Sequence, residues 1–187
     1  MKIYPFIEDF CHKSVVKDNY EDRLLNLCHA FNHADYVVIG AGAGLSTAAG
    51  IAYSGKRFTD NFADFIERYS LTDMYSSAFY PFNTEEERWA YWARHILMNR
   101  YDIPGTDLYR MLFKVVKEKD YFVITTNVDG QFEKSGFESE RIFATQGDYA
   151  YLQCANGCHD TLYYNESLIR NMVRQTKNCR IPTDLVP

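Results

Sequence analysis

The chain has 187 residues, 47% of them apolar and 24% charged, with a formal net charge of −5 and an isoelectric point near 5.5. These are globular proportions and exclude a disordered tail protein, while the acidic balance disfavours non-specific binding to nucleic acid or anionic lipid. Aromatic residues reach 16%, with 15 Tyr and 13 Phe, enough large rings to fill a real core.

In chain order, residues 20–34 read as a helix, because Leu24, Leu27, Cys28 and Phe31 share one face at the 3.6 period. Tyr-Val-Val-Ile at 36–39, closed by Gly40, reads as a strand buried on both faces, as in a parallel sheet. The glycine-rich stretch 40–51 follows, with Ser46 or Thr47 placed to cap a helix starting there. The pattern predicts a helix over 61–69. The spacing Thr84 to Glu87 is that of a capping box, opening a helix with Trp89, Trp92, Ala93, Ile96 and Leu97 on one core-facing side. A further amphipathic helix covers 106–118 through Leu108, Met111, Leu112, Val115 and Val116. Residues 121–125 (YFVIT) form a second strand and 141–144 (RIFA) a third. Such alternation predicts an α/β fold with a mostly parallel sheet. About eighty residues separate the first two strands, whereas a crossover needs only about 10–12. Residues 52–105 are therefore expected to be a helical insertion over the carboxyl ends of the strands, where open α/β sheets bind ligands.

Residues 36–55 are twenty in a row without a charge, long enough to span a bilayer, but they hold five glycines and lack a leucine-rich character. A strand entering a glycine loop and a buried helix explains them better, and no membrane partner is expected. Five cysteines, Cys11, Cys28, Cys154, Cys158 and Cys179, form an odd set, and the opening MKIYPFIEDF is no basic-then-apolar leader. The expectation is a cytoplasmic protein with reduced thiols, Cys11 and Cys28 in the core and some of the others metal-bound.

Four groups carry chemistry. A strand running into Gly40-Ala41-Gly42-Ala43-Gly44-Leu45-Ser46 lets backbone N–H groups approach a phosphate closely. The dinucleotide fingerprint is not met, since Thr47 stands where a third glycine is needed, and no Gly-Lys-Ser/Thr follows. A tight turn with close helix–strand packing explains this loop equally well. Thr125-Thr126-Asn127-Val128-Asp129-Gly130 leaves the second strand, and Ala144-Thr145-Gln146-Gly147-Asp148 leaves the third. Taken alone, the former suits an Asx turn. Cys154 and Cys158 are half of a tetrahedral zinc site, with Cys179 a candidate third ligand and His159 adjacent. His12, His29, His33 and His95 lack ligand spacing with one another.

Together these motifs resemble the sirtuin family over roughly residues 30–160. Residues 42–51 match its GAGxSxxxGI loop, Thr125–Asp129 its TQNxD with Thr126 in place of Gln, and Cys154 and Cys158 its first zinc pair, widened by one residue. The resemblance implies a Rossmann-like NAD-binding part over 1–51 and 106–149, the insertion at 52–105, and a partial, zinc-ribbon-like module at 150–187. It implies that Gly42, Ala43, Gly44 and Ser46 hold the phosphates of NAD, with Ile51, Tyr53, Arg57, Thr126 and Val128 completing the nucleotide site. By the same resemblance Asn127 holds the ribose and an ordered water, Asp129 the nicotinamide amide, and Asn127, Gln146 and Asp129 form the catalytic set.

The departures matter as much. After Gly50-Ile51 the family continues Pro-Asp-Phe-Arg, but here Ala52-Tyr53-Ser54-Gly55 follows, then Lys56-Arg57-Phe58. Gln146 stands where the family has its catalytic histidine, and Phe132 replaces another histidine. These changes resemble the macrodomain-linked microbial branch, associated with ADP-ribosylation of lipoyl-carrier proteins rather than deacylation. Chemistry points the same way: a deacylase needs a titratable base, whereas a glutamine amide only orients groups, and breaking the nicotinamide–ribose bond needs positioning and charge stabilisation more than a base. The expected activity is NAD-dependent transfer of ADP-ribose to a protein, with an NAD-dependent deacylase or an inactive truncated NAD-binding fragment as alternatives. Sirtuins carry a second cysteine pair and further adenosine-binding strands near where this chain stops. The comparison predicts an open sheet edge, exposed apolar surface, weak NAD affinity and an incomplete zinc site.

Overall fold

The computed structural model describes residues 19–187, so Cys11 and His12 lie outside the described residues. The chain divides by backbone proximity at Val37, one unit lying before it and the other being Val38–Pro187. The first holds helix α1, Tyr20–His33, where Asn19 caps the N-terminus by accepting the Asp22 N–H at 2.8 Å. Glu21 and Asp22 at its start and His33 at its end suit the helix dipole. The expected helix is therefore present, but none of its residues is buried. Cys28 is exposed, which overturns its placement in a core.

The sheet has the order β1-β2-β3, with β1 at Tyr36–Ala41, β2 at Asp120–Thr125 and β3 at Ile142–Ala144. Strands β2 and β3 pair in parallel, Val123 opposite Ile142 and Thr125 opposite Ala144. Burial along β2 alternates, with Tyr121, Val123 and Thr125 inside and Phe122 and Ile124 outside. Helix α7, Asp107–Val116, helix α8, Gln131–Lys134, and Phe137 just after it supply the rings that cover the inner face: Phe113 and Phe137 meet Tyr121 edge-on, and Phe137 meets Phe132. Among the described residues no element covers the other face, where Val38 is 66% exposed and Phe143 58%. The expectation that the first strand is buried on both faces is thus overturned: its residues alternate between exposed and half-buried, and among the described residues a layer covers only one side of the sheet.

Helix α2 is Ala43–Ala48, and its cap is Gly42 rather than Ser46 or Thr47. The turn begins earlier because the Gly42 carbonyl already accepts the Leu45 N–H at 2.9 Å. Ser46 lies inside the helix, buried, and its hydroxyl goes to a partner on another loop.

Helices α3 (Lys56–Asn61), α4 (Ala63–Tyr69), α5 (Met74–Ser77) and α6 (Glu85–Ile96) occupy the stretch expected to be a helical insertion. The helix expected over 61–69 is broken from its neighbour at Phe62, whose φ of −127° leaves the helical region. Thr84 caps α6 as read, accepting the Glu87 N–H at 3.3 Å, while the Glu87 carboxylate turns to Arg68 at 3.2 Å. Helix α6 then widens into a π turn at Leu97–Tyr101. A short antiparallel pair, β4 (Tyr151–Leu152) with β5 (Tyr163–Tyr164), precedes helix α9 at Glu166–Gln175. Ile169 and Met172 of α9 join Phe58, Phe62, Phe65 and Tyr91 in one core of essentially unexposed side chains. Cys179 is buried against that same core, which removes it as a zinc ligand. Trp89 and Trp92 are half-buried against it, as read. Among the described residues no helix is long and apolar enough to cross a membrane.

Candidate active site

The loops leaving β1 and β2 are tied together. The Thr126 N–H donates to the Ala41 carbonyl at 3.1 Å, continuing the ladder one step past the strands. Gly42 lies so close to this crossing that a Cβ there would sit 3.3 Å from Thr126 Oγ1. Asn127 Nδ2 donates to the Gly42 carbonyl at 3.0 Å, across 85 residues of sequence, and to Ser46 Oγ at 3.2 Å and Tyr109 Oη at 3.1 Å. Its backbone N–H is taken by Thr125 Oγ1 at 3.0 Å.

Proton counting orders this cluster. Ser46 donates its one hydroxyl proton to Asp129 Oδ2 at 2.6 Å, so the Tyr109 hydroxyl, 2.8 Å away, donates to Ser46. Both Asn127 amide protons are spent on the glycine loop and its neighbours, which leaves Oδ1 an acceptor. Asp129 is 4% exposed, and its second oxygen takes the Gln131 N–H at 3.1 Å. Burial, and then the charge of Asp129, push the Tyr109 phenol up to about 12.

Ser46, Asn127 and Asp129 line a cavity of about 450 Å³. Of the residues singled out in the sequence, Ala43, Ser46, Ile51, Tyr53, Thr126, Asn127, Val128, Asp129 and Gln146 lie on its wall. Gly42 takes part through its carbonyl. Gly44 and Arg57 are not on the wall. Arg57 instead donates to the Ala52 and Met98 carbonyls, each at 3.0 Å, and to Asn99 Oδ1 at 2.9 Å, fastening the loop after Ile51 to the π turn.

Thr47, Tyr75 and Tyr149 also line the cavity, and sequence reasoning passed over them. Tyr149 follows Gln146-Gly147-Asp148, and that signal was in plain view; nothing in the sequence marks Tyr75. Gly147 turns the backbone with φ of +79°, and the Tyr149 N–H then reaches the Val128 carbonyl at 3.0 Å. Asp148 is clamped by Arg100 through two bonds of 2.6 and 2.9 Å, and also accepts the Ala150 N–H at 2.7 Å. This bidentate pair sets the loop that carries Gln146 and Tyr149. Away from the cavity, the donor atoms of Cys154, Cys158 and His159 all lie within 4.8 Å of one another. The Cys154 thiol is held below its ordinary value by hydrogen bonding to Cys158, whose Sγ is 3.0 Å away.

The family model described as the Sir2 family matches residues 42–186, a span running from the glycine loop through the cysteine pair. The chain belongs to the Sir2 family. A protein ADP-ribosyltransferase of Staphylococcus aureus (strain Mu50 / ATCC 700699) is 40% identical over 174 residues, covering 93% of this chain and 55% of the relative. A probable bifunctional ADP-ribose hydrolase/ADP-ribosyltransferase of Fusarium oxysporum f. sp. cubense is 38% identical over 129 residues, covering 67% of this chain and 21% of the relative. The chain thus spans about half the length of the bacterial relative and less of the fungal one. A solved Sir2 homologue–NAD complex superposes with a TM-score of 0.55 at 18% identity, over 79% of this chain and 52% of that one, and shares the fold. The Sir2 family accounts for the Rossmann-like α/β arrangement of sheet and helices.

Proposed function

We propose that this chain works as an NAD-dependent protein ADP-ribosyltransferase of the macrodomain-linked microbial type, with lipoyl-carrier proteins as acceptors. One observation carries the reading: Asn127 bonds directly to Gly42 and Ser46, so the glycine loop and the exit of β2 border one cavity. The names of the two relatives support transfer of ADP-ribose, and the fungal name couples it to ADP-ribose hydrolysis in one protein.

NAD, when bound, supplies the ADP-ribosyl group and gives up nicotinamide. The Gly42–Ser46 loop offers the Ala43 and Gly44 N–H groups at the start of α2, which suit phosphate oxygens, while the Leu45 N–H is already taken by the Gly42 carbonyl. Asn127 Oδ1 accepts from a ribose hydroxyl. The buried carboxylate of Asp129, held by Ser46 and Gln131, faces the cationic nicotinamide end. Gln146 orients by hydrogen bonds and takes up no proton. Gln146 and Tyr149 also line a neighbouring groove of about 1140 Å³ with Trp89, Trp92 and Arg100, which gives a protein acceptor a path to the cavity. Cys154, Cys158 and His159 supply three of the four donors that a structural zinc ion takes.

The test is transfer of label from NAD to a lipoylated carrier protein. Asn127→Ala is expected to lower it by about 100-fold or more, the scale for losing a positioning group in a preorganised site. Formation of O-acyl-ADP-ribose from an acyl-lysine peptide, without labelled carrier, would show a deacylase instead.

A further inference from the structure

Tyr109 belongs to the hydrogen-bonded cluster but not to the cavity wall. It is a fully buried residue of α7, and its ring meets Phe132 edge-on with centroids 4.9 Å apart. Its hydroxyl lies 2.8 Å from Ser46 Oγ and 3.1 Å from Asn127 Nδ2.

Gln131, itself fully buried, fixes where that hydroxyl sits. Its backbone N–H donates to Asp129 Oδ1 at 3.1 Å. Its side chain reaches the start of α7, where Oε1 accepts the N–H of the cap residue Thr106 at 3.0 Å and Nε2 donates to the Pro104 carbonyl at 3.0 Å. One residue thus ties the carboxylate and the helix carrying the phenol to the same point.

The protons of the cluster run in one direction. Ser46 gives its single hydroxyl proton to Asp129 at 2.6 Å, so in the bond between Tyr109 and Ser46 the phenol is the donor. Burial, the largest cause, pushes that phenol up to about 12, and it keeps a proton to give. Towards Asn127 its oxygen then accepts. The Gly42 carbonyl accepts from the same amide nitrogen at 3.0 Å, and a carbonyl never donates. A flipped Asn127 would set Oδ1 against two oxygens that have no proton to offer it.

We infer that Tyr109 is a positioning residue for the proposed transfer: it holds the Asn127 amide in one orientation without touching the ligand, and Gln131 sets its place. The inference rests on the NAD reading above. A tyrosine that only filled space could lose its hydroxyl without consequence for the cavity. Here the loss leaves the second amide proton of Asn127 with Ser46 alone, at 3.2 Å, and the amide is freer to rotate. A ribose hydroxyl then meets Oδ1 in only part of the population, and the cost falls on the reaction. Because the bonds are buried, water does not replace the missing partner.

The experiment uses the full chain. Proton-exchange NMR of the Asn127 side-chain amide comes first, without NAD. Both protons should be protected in wild type, and Tyr109→Phe should release one. Label transfer from NAD to a lipoylated carrier is then measured with excess enzyme for Tyr109→Phe, Asn127→Ala and the double variant. Tyr109→Phe should slow transfer by about fivefold, the worth of one hydrogen bond, and should cost nothing further once Asn127 is alanine. A phenol serving the fold alone would slow both backgrounds equally. Melting temperatures show that each variant folds. Wild-type Asn127 amide protons that exchange as fast as those of exposed side chains overturn the inference, whether or not Tyr109→Phe folds. So does a Tyr109→Phe variant with full transfer, or one whose loss persists beside Asn127→Ala. A wild type that transfers no label overturns the parent reading and the role in transfer with it, while the exchange measurement still decides whether Tyr109 orders the amide.

Discussion

The helices between Ile51 and Tyr101 and the sheet beside them treat aromatic residues in opposite ways. Among the helices, Phe58, Phe62, Phe65 and Tyr91 interlock with ring centroids 5.2 to 6.1 Å apart and are essentially unexposed. On the sheet, Phe122 and Phe143 stand exposed on a face that no described element covers. The residue types are alike, and the difference is the layer above them. Burial of a ring stabilises only where a second element removes it from water, so the helical core carries stability that the outer sheet face does not.

The sharpest way to break this comparison is to truncate a ring on each side. Phe62→Ala should cost about 3–5 kcal/mol in urea unfolding, the usual toll for emptying a packed aromatic site. Acid comes next. His95 is buried neutral with its pKa lowered, so the unfolded chain binds the extra proton between about pH 6.5 and 3. Stability should fall as pH drops through that window, by at most about 1.4 kcal/mol per pH unit from this group. His95→Gln should flatten that slope in pH-dependent melts. Thr84→Ala removes the cap of α6 and should cost about 1 kcal/mol by thermal melting. Smallest of all, Phe143→Ser on the bare face should change stability by under about 0.5 kcal/mol while lowering binding of a hydrophobic dye. A large loss there would show that something covers the face.

The same contrast explains what the sequence made legible. Periodicity located α6 and α7, but the stripe read on α7 is not its buried face: Met111 and Val115 are exposed, while Tyr109 and Val116 are buried. It also located β1 as a strand, but the two-sided burial read from Tyr-Val-Val-Ile depended on a layer that the strand itself does not encode. Ser46 looked like a cap because local rules see only neighbours, and its true partner, Asp129, lies 83 residues away. Cys28 and Cys179 changed places with expectation for the same reason: exposure is set by what packs across, not by the residue type. The glycine loop and the Thr-Asn-Asp segment were legible as a pair of sites, and their sharing of one cavity emerged only with the Asn127 bonds. The contact of His95 with Tyr149 was invisible because it joins residues 54 apart in sequence.

The widened turn at Leu97–Tyr101 has a consequence for how the molecule tolerates change in length. Its Met98 carbonyl is free of the ordinary ladder and is held by Arg57, while Arg100, two residues on, grips Asp148. Removing one residue there would restore an ordinary helical repeat and rotate everything downstream by about 100°. Arg100 would swing off its carboxylate, and the segment bearing Gln146 would lose its tether although no residue near the cavity had been altered. Evolution can exchange side chains along this stretch more easily than it can change the number of residues.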